Sequence, residues 1–92
     1  MDDPSQASLE DLMDFPAEVV LRVMAETSGG LAERCTAAVT RALGREPVSV
    51  GVRPSRRGNY TAVHLRIRAE TAEELRRASR VLRGIAGVRL VL

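Results

Sequence analysis

Twice along this chain a stretch alternating apolar and polar residues passes into one with helical spacing, and twice alternation returns. That order limits the folds open to it. Alternation by two requires a sheet with one buried face, and a single apolar stripe at helical spacing requires a helix lying on that face. Residues 18–25 set Val19, Leu21 and Val23 against Glu18, Val20, Arg22 and Met24, which predicts a strand. Leu31, Cys35, Ala38, Val39, Ala42 and Leu43 then recur at helical spacing until Gly44 stops the helix. Between Pro47 and Pro54, Val48, Val50 and Val52 alternate with Ser49, Gly51 and Arg53, the pattern of a half-buried strand. Gly58 and Asn59 are expected to supply positive φ to a tight turn, after which Val63, Leu65 and Ile67 alternate with His64, Arg66 and Arg68.

Thr71 stands three residues before Glu74, a capping box that predicts the start of a second helix. Its apolar side is Leu75, Ala78, Leu82 and Ile85, its outer side carries Arg76, Arg77, Arg80 and Arg83, and Gly84 or Gly87 ends it. The last five residues read as a strand with Val88, Leu90 and Leu92 inward.

Two one-sided helices and four alternating strands in the order strand, helix, strand, strand, helix, strand predict an α/β (α+β) sandwich. The expected form is ferredoxin-like βαββαβ, a four-stranded antiparallel sheet with two helices on one face and strand order 4-1-3-2. Each strand-helix-strand unit is expected to set its two parallel strands side by side through a right-handed crossover, with a hairpin joining strands two and three. The uncovered face should carry Glu18, Val20, Arg22, Met24, Gly51, Arg53, Tyr60, His64, Arg66, Arg68, Arg89 and Val91.

At 92 residues the chain is expected to form one small domain over residues 9–92, preceded by a flexible acidic tail over residues 1–8. Ser8, three residues before Asp11, predicts a short helical turn that Phe15-Pro16 ends, leaving Phe15 to anchor the segment. The first fourteen residues hold five acids and no base, so fourteen arginines face only seven acids in the rest. Such a basic body favours an anionic partner. The lone Cys35 excludes an intramolecular disulfide and a cysteine-rich metal site, and it fits burial as a small hydrophobe. No run is long and apolar enough for a membrane span, and a cytoplasmic location is expected.

Phe15-Pro16, the strand segment from Arg22 to Glu26, the hairpin motif of Pro54, Ser55, Gly58, Asn59 and Tyr60, and the valine-rich C-terminus together resemble the YbeD-like family of small bacterial proteins. The resemblance covers residues 9–92. It implies a ferredoxin-like, ACT-domain-like fold with a regulatory or interaction role and no catalysis. The chain departs from the family pattern at Arg56-Arg57, where a Ser-Lys pair is usual, and at Thr61-Ala62.

The candidate residues for a protein partner or small anionic ligand are Arg53, Ser55, Arg56, Arg57, Asn59, Tyr60, His64, Arg66 and Arg68. Arginines around a tight turn can hold a carboxylate or phosphate through two parallel hydrogen bonds, or they can simply stay in water. Ser28, Gly29 and Gly30 form an alternative small-ligand loop of ACT-like type. His64 has no nucleophile or second histidine near it in sequence, so neither a catalytic set nor a metal or cofactor site is expected. The strand positions that stack bases in RNA-recognition modules carry aliphatic and basic residues here, with Tyr60 alone near the turn, so sequence-specific nucleic-acid reading is not expected, and weak nucleic-acid binding through the basic sheet face stays as an alternative. Monomer and homodimer both remain open.

Overall fold

The computed structural model describes residues 12–92. The expected tail over residues 1–8 and the Ser8–Asp11 cap lie outside the described residues. Six elements follow in order: β1 (Ala17–Glu26), α1 (Leu31–Leu43), β2 (Ser49–Pro54), β3 (Tyr60–Ala69), α2 (Ala72–Arg83) and β4 (Val88–Val91). They form one four-stranded sheet in the order β2-β3-β1-β4, with every neighbouring pair antiparallel. This is the ferredoxin-like arrangement. The expectation of side-by-side parallel strands is corrected: β3 separates β1 from β2, and β1 separates β3 from β4.

The core lies between the helices and one sheet face. Leu21, Val23 and Ala25 of β1 and Val63, Leu65, Ile67 and Ala69 of β3 meet Leu31, Cys35, Val39 and Leu43 of α1 and Leu75, Ala78 and Leu82 of α2. Phe15, joined to Pro16 by a cis peptide bond, packs against this cluster as the anchor predicted for it. Gly44 ends α1 in the left-handed region at φ 75°, its N–H bonded to the Thr40 carbonyl, a conformation that costs glycine little. At α2 the capping box is half realised. The Thr71 hydroxyl accepts the Glu74 N–H at 3.2 Å, but the Glu74 carboxylate accepts from the Glu70 N–H at 2.7 Å and not from Thr71.

Two expectations about the sheet fail for physical reasons. Val50 and Val52 share a side with core residues Leu65 and Val63, yet they are 40% and 57% exposed, and Val48, just before the strand, is 57% exposed. The helices centre on β1 and β3, and edge strand β2 projects past their cover, so alternation there does not mean burial. In β4, the register shifts by one residue opposite Met24 and Ala25. This irregularity, which no periodicity rule can place, reverses the facing of the strand from Leu90 onward and leaves Val88 inward as expected. Val88 and Val91 pack against the core, whereas Leu90 lies opposite Met24 on the open side. Val91 therefore leaves the open face, and Leu90 and Leu92 leave the predicted core.

Candidate functional site

The open sheet face is built in cross-strand rows. Leu90, Met24, Ala62 and Arg53 form one row from β4 to β2. Leu92, bonded to Arg22 through both backbone groups at 3.0 and 2.8 Å, begins the next, which continues through Arg22, His64 and Gly51. Val20 stands opposite Arg66, and Glu18 opposite Arg68. The β4 shift thus places two leucines beside Met24 and Val20, giving the face an aliphatic patch larger than sequence reading assigned to it.

The charges around this patch divide into two groups. Arg66 pairs with Glu18 at 3.4 Å, Arg68 with Glu70 at 3.0 Å and Arg89 with Glu26 at 2.7 Å, all on the surface. Exposed pairs of this kind add about 0–1 kcal/mol to stability but lower the local positive potential. Arg22, Arg53, Arg56 and Arg57 have no such partner among the described residues. Arg22 stands in the row beyond Met24, and Arg53, Arg56 and Arg57 lie at the hairpin end of the face. There Met24 and Ala62 floor a hollow of about 480 Å³, walled by Arg53, Pro54, Ser55 and Arg56. An aliphatic floor beside unneutralised guanidinium groups suits a ligand that presents a carboxylate next to an apolar side chain.

The hairpin residues take different parts. The Ser55 N–H donates to the Tyr60 carbonyl at 2.8 Å, and the Tyr60 N–H donates to the Ser55 hydroxyl at 3.1 Å. The Asn59 carbonyl accepts the Thr27 N–H at 3.0 Å, tying the hairpin to the end of β1. Ser55 and Asn59 therefore hold the loop in shape and present Arg56 and Arg57 outward. Only Gly58 has positive φ, at 77°; Asn59 does not, which corrects the expectation for that pair. Tyr60, opposite Glu26, is exposed at the rim. His64 is half-buried between Arg22 and Gly51, and Cys35 lies on the other side of the sheet in the core.

The loop of Ser28, Gly29 and Gly30 sits at the same end of the sheet. Gly30 caps α1 at φ 71° with no side-chain hydrogen bond. Arg34, one turn into α1, folds back to donate to the Ser28 hydroxyl at 2.6 Å and to the Gly29 carbonyl. Sequence reading missed this contact, although the short spacing from Ser28 to Arg34 across a helix start was the available sign. Among the described residues no group of three His, Cys, Asp or Glu side chains lies close enough together to hold a metal ion. No helix among them is long and apolar enough to cross a membrane.

Comparison with known proteins places the chain among relatives of matching length. Residues 10–92 match the family model described as "Protein of unknown function (DUF493)". A UPF0250 protein of Bordetella pertussis is 33% identical over 84 residues, covering 90% of this chain and 92% of its own. One from Vibrio cholerae is 34% identical over 88 residues, covering 96% and 95%. In three dimensions the chain is similar to the solution structure of protein HP0495 from H. pylori, with a TM-score of 0.67, 13% identity and coverage of 100% and 94%. It is also similar to the C-terminal domain of the MgtC protein from Mycobacterium tuberculosis, with a TM-score of 0.60, 19% identity and coverage of 87% and 88%. Both structural likenesses concern the fold.

Proposed function

The chain belongs to the DUF493 family of UPF0250 proteins, the YbeD-like family, and from that premise we propose that it is a non-enzymatic cytoplasmic interaction domain with a regulatory role. Its open face and Arg53–Tyr60 hairpin engage an acidic segment of a protein partner. The observation that carries this reading is the hollow floored by Met24 and Ala62, with Arg53 and Arg56, which have no ion-pair partner among the described residues, on its wall. Arg22 and Arg57 extend the same positive field, so a partner's carboxylates are drawn to one end of the face while an aliphatic side chain fills the hollow.

The ACT-like sensor reading of Ser28, Gly29 and Gly30 has less support, because Arg34 already bonds the Ser28 hydroxyl and the Gly29 carbonyl. Nucleic-acid binding has less support too, since the centre of the face offers mainly aliphatic and basic side chains, with the half-buried His64 as its one ring among the described residues. The test is affinity capture from native cell extract followed by mass spectrometry, comparing the natural chain with the Arg56→Ala/Arg57→Ala variant. The expected result is a partner enriched by the natural chain, released by raised salt and lost in the variant, with an unchanged circular-dichroism spectrum. Equal capture by both chains overturns the hairpin's part in binding.

A further inference from the structure

Strand β2 is a sheet edge without the usual protection. Such edges are normally blunted by an inward charge, a mid-strand proline, or a covering loop or helix. Here Arg53 is the only charge on the strand, and Pro47 and Pro54 stand at its two ends. The mutual bonding of Ser55 and Tyr60 sets the parity of the ladder. Residues 49, 51 and 53 turn their backbone groups toward β3, and Val50 and Val52 turn theirs outward. The exposed side chains of Val50 and Val52 stand on the helix side of that same free edge.

The geometry points to β2 as the interface between two copies of this chain, paired antiparallel across a twofold axis at Gly51. In that register Val50 of each copy lies opposite Val52 of the other, and their outward N–H and C=O groups bond reciprocally. Gly51 faces its own counterpart at the non-hydrogen-bonded position, where side chains crowd most and glycine has none. A Cβ at Gly51 meets nothing within 4 Å, so the approach is unobstructed. Arg53 falls opposite Ser49 of the second copy and not opposite another arginine, so the sole charge on the strand is not set against its like. Pro54, which lacks an N–H, falls opposite Val48 and ends the pairing at both limits.

A second copy suits this edge better than a foreign strand does, because the strand is uncharged along its apolar stripe and matches itself. The outer side of α1 carries Glu33 near the helix start and Arg41 near its end, with Glu46 beyond it, none of them in an ion pair among the described residues. A twofold axis runs the two α1 helices antiparallel, so that Glu33 of one copy runs toward Arg41 of the other. The product is a continuous eight-stranded sheet. On its open face Ser49 of each copy stands beside Arg53 of the other, so the hollow at Arg53 gains a residue from the second chain.

The test is light scattering coupled to size-exclusion chromatography, with sedimentation equilibrium, on the full chain from micromolar to submillimolar concentration. The natural chain is expected to dimerise, and Val50→Lys/Val52→Lys to raise the dimer dissociation constant about a hundredfold or more by setting like charges opposite each other. Under mild oxidation Gly51→Cys is expected to form an intermolecular disulfide, because the paired positions lie within bonding distance. Ser49→Cys, which faces Arg53, is expected not to link to itself. Monomeric behaviour throughout overturns the inference, as does a dimer untouched by the two lysines or cross-linking of Ser49→Cys as readily as Gly51→Cys.

Discussion

The guanidinium of Arg45 reaches the carboxylate of Glu74, 29 residues further along the chain, and so ties the end of α1 to the start of α2. The same guanidinium donates to the Arg68 carbonyl at 2.7 Å, and Glu74 also accepts the Glu70 N–H. Arg45, and after it the Glu70 N–H, hold the Glu74 carboxyl below its usual range. With a folded pKa below the unfolded one, the stabilisation is present above about pH 4.3, the ordinary glutamate value, and is lost as pH falls through the folded value. Glu74→Gln is expected to cost about 1 kcal/mol at neutral pH and to flatten the fall in stability on acidification. Urea unfolding at pH 7 and pH 3 measures both; an unaltered pH dependence would show that another carboxylate carries it.

The register shift in β4 makes its outcome easy to read. Val91 packs on the core opposite Val23, while Leu90 is 48% exposed opposite Met24. Val91→Ser is expected to destabilise by about 1–3 kcal/mol, and Leu90→Ser by no more than about 0.5 kcal/mol. Equilibrium denaturation compares them directly. Were Leu90→Ser the more damaging, the strand would face the way its sequence alternation suggests.

That contrast marks where the sequence is legible. β1 and β3 are central strands covered on one side by helices, so alternation in Leu21, Val23, Val63, Leu65 and Ile67 reports burial faithfully. At the edges it does not. β2 alternates equally well, but Val50 and Val52 stay exposed at the sheet edge, and β4 breaks its phase at a shift that depends on how it meets β1. The candidate site follows the same division. Arg53 and Arg56 were visible as a cluster, but their setting depends on Met24 and Ala62 meeting across strands, and Leu90 joins the face only through the shift. Ser55 and Asn59 looked like ligand contacts because a turn's own hydrogen bonds cannot be told from binding groups in one dimension.

The hairpin separates two residues that sequence alone treats alike. Gly58 sits at φ 77° with open space around its Cα, whereas Asn59 has negative φ and contributes its backbone carbonyl to Thr27. Gly58→Ala is expected to cost about 1 kcal/mol from backbone conformation alone, since no atom blocks the added methyl. Asn59→Ala keeps the carbonyl and is expected to stay within about 0.5 kcal/mol of the natural chain. Thermal unfolding of the two variants decides whether the glycine or the asparagine sets the turn.

Cys35 is fully buried on the core side of α1, and burial pushes its thiol up from the usual range, with nearby Arg34 pulling more weakly the other way. The thiolate is the reactive form, so both the closed packing and the raised pKa suppress modification in the folded chain. Reaction with a thiol-specific disulfide reagent is therefore expected to require opening of the core between sheet and helices. Labelling across a urea series should follow the unfolding curve measured by circular dichroism. Rapid labelling in native buffer, at the rate of a free thiol, would instead mean that α1 lifts from the sheet in a local motion well short of global unfolding.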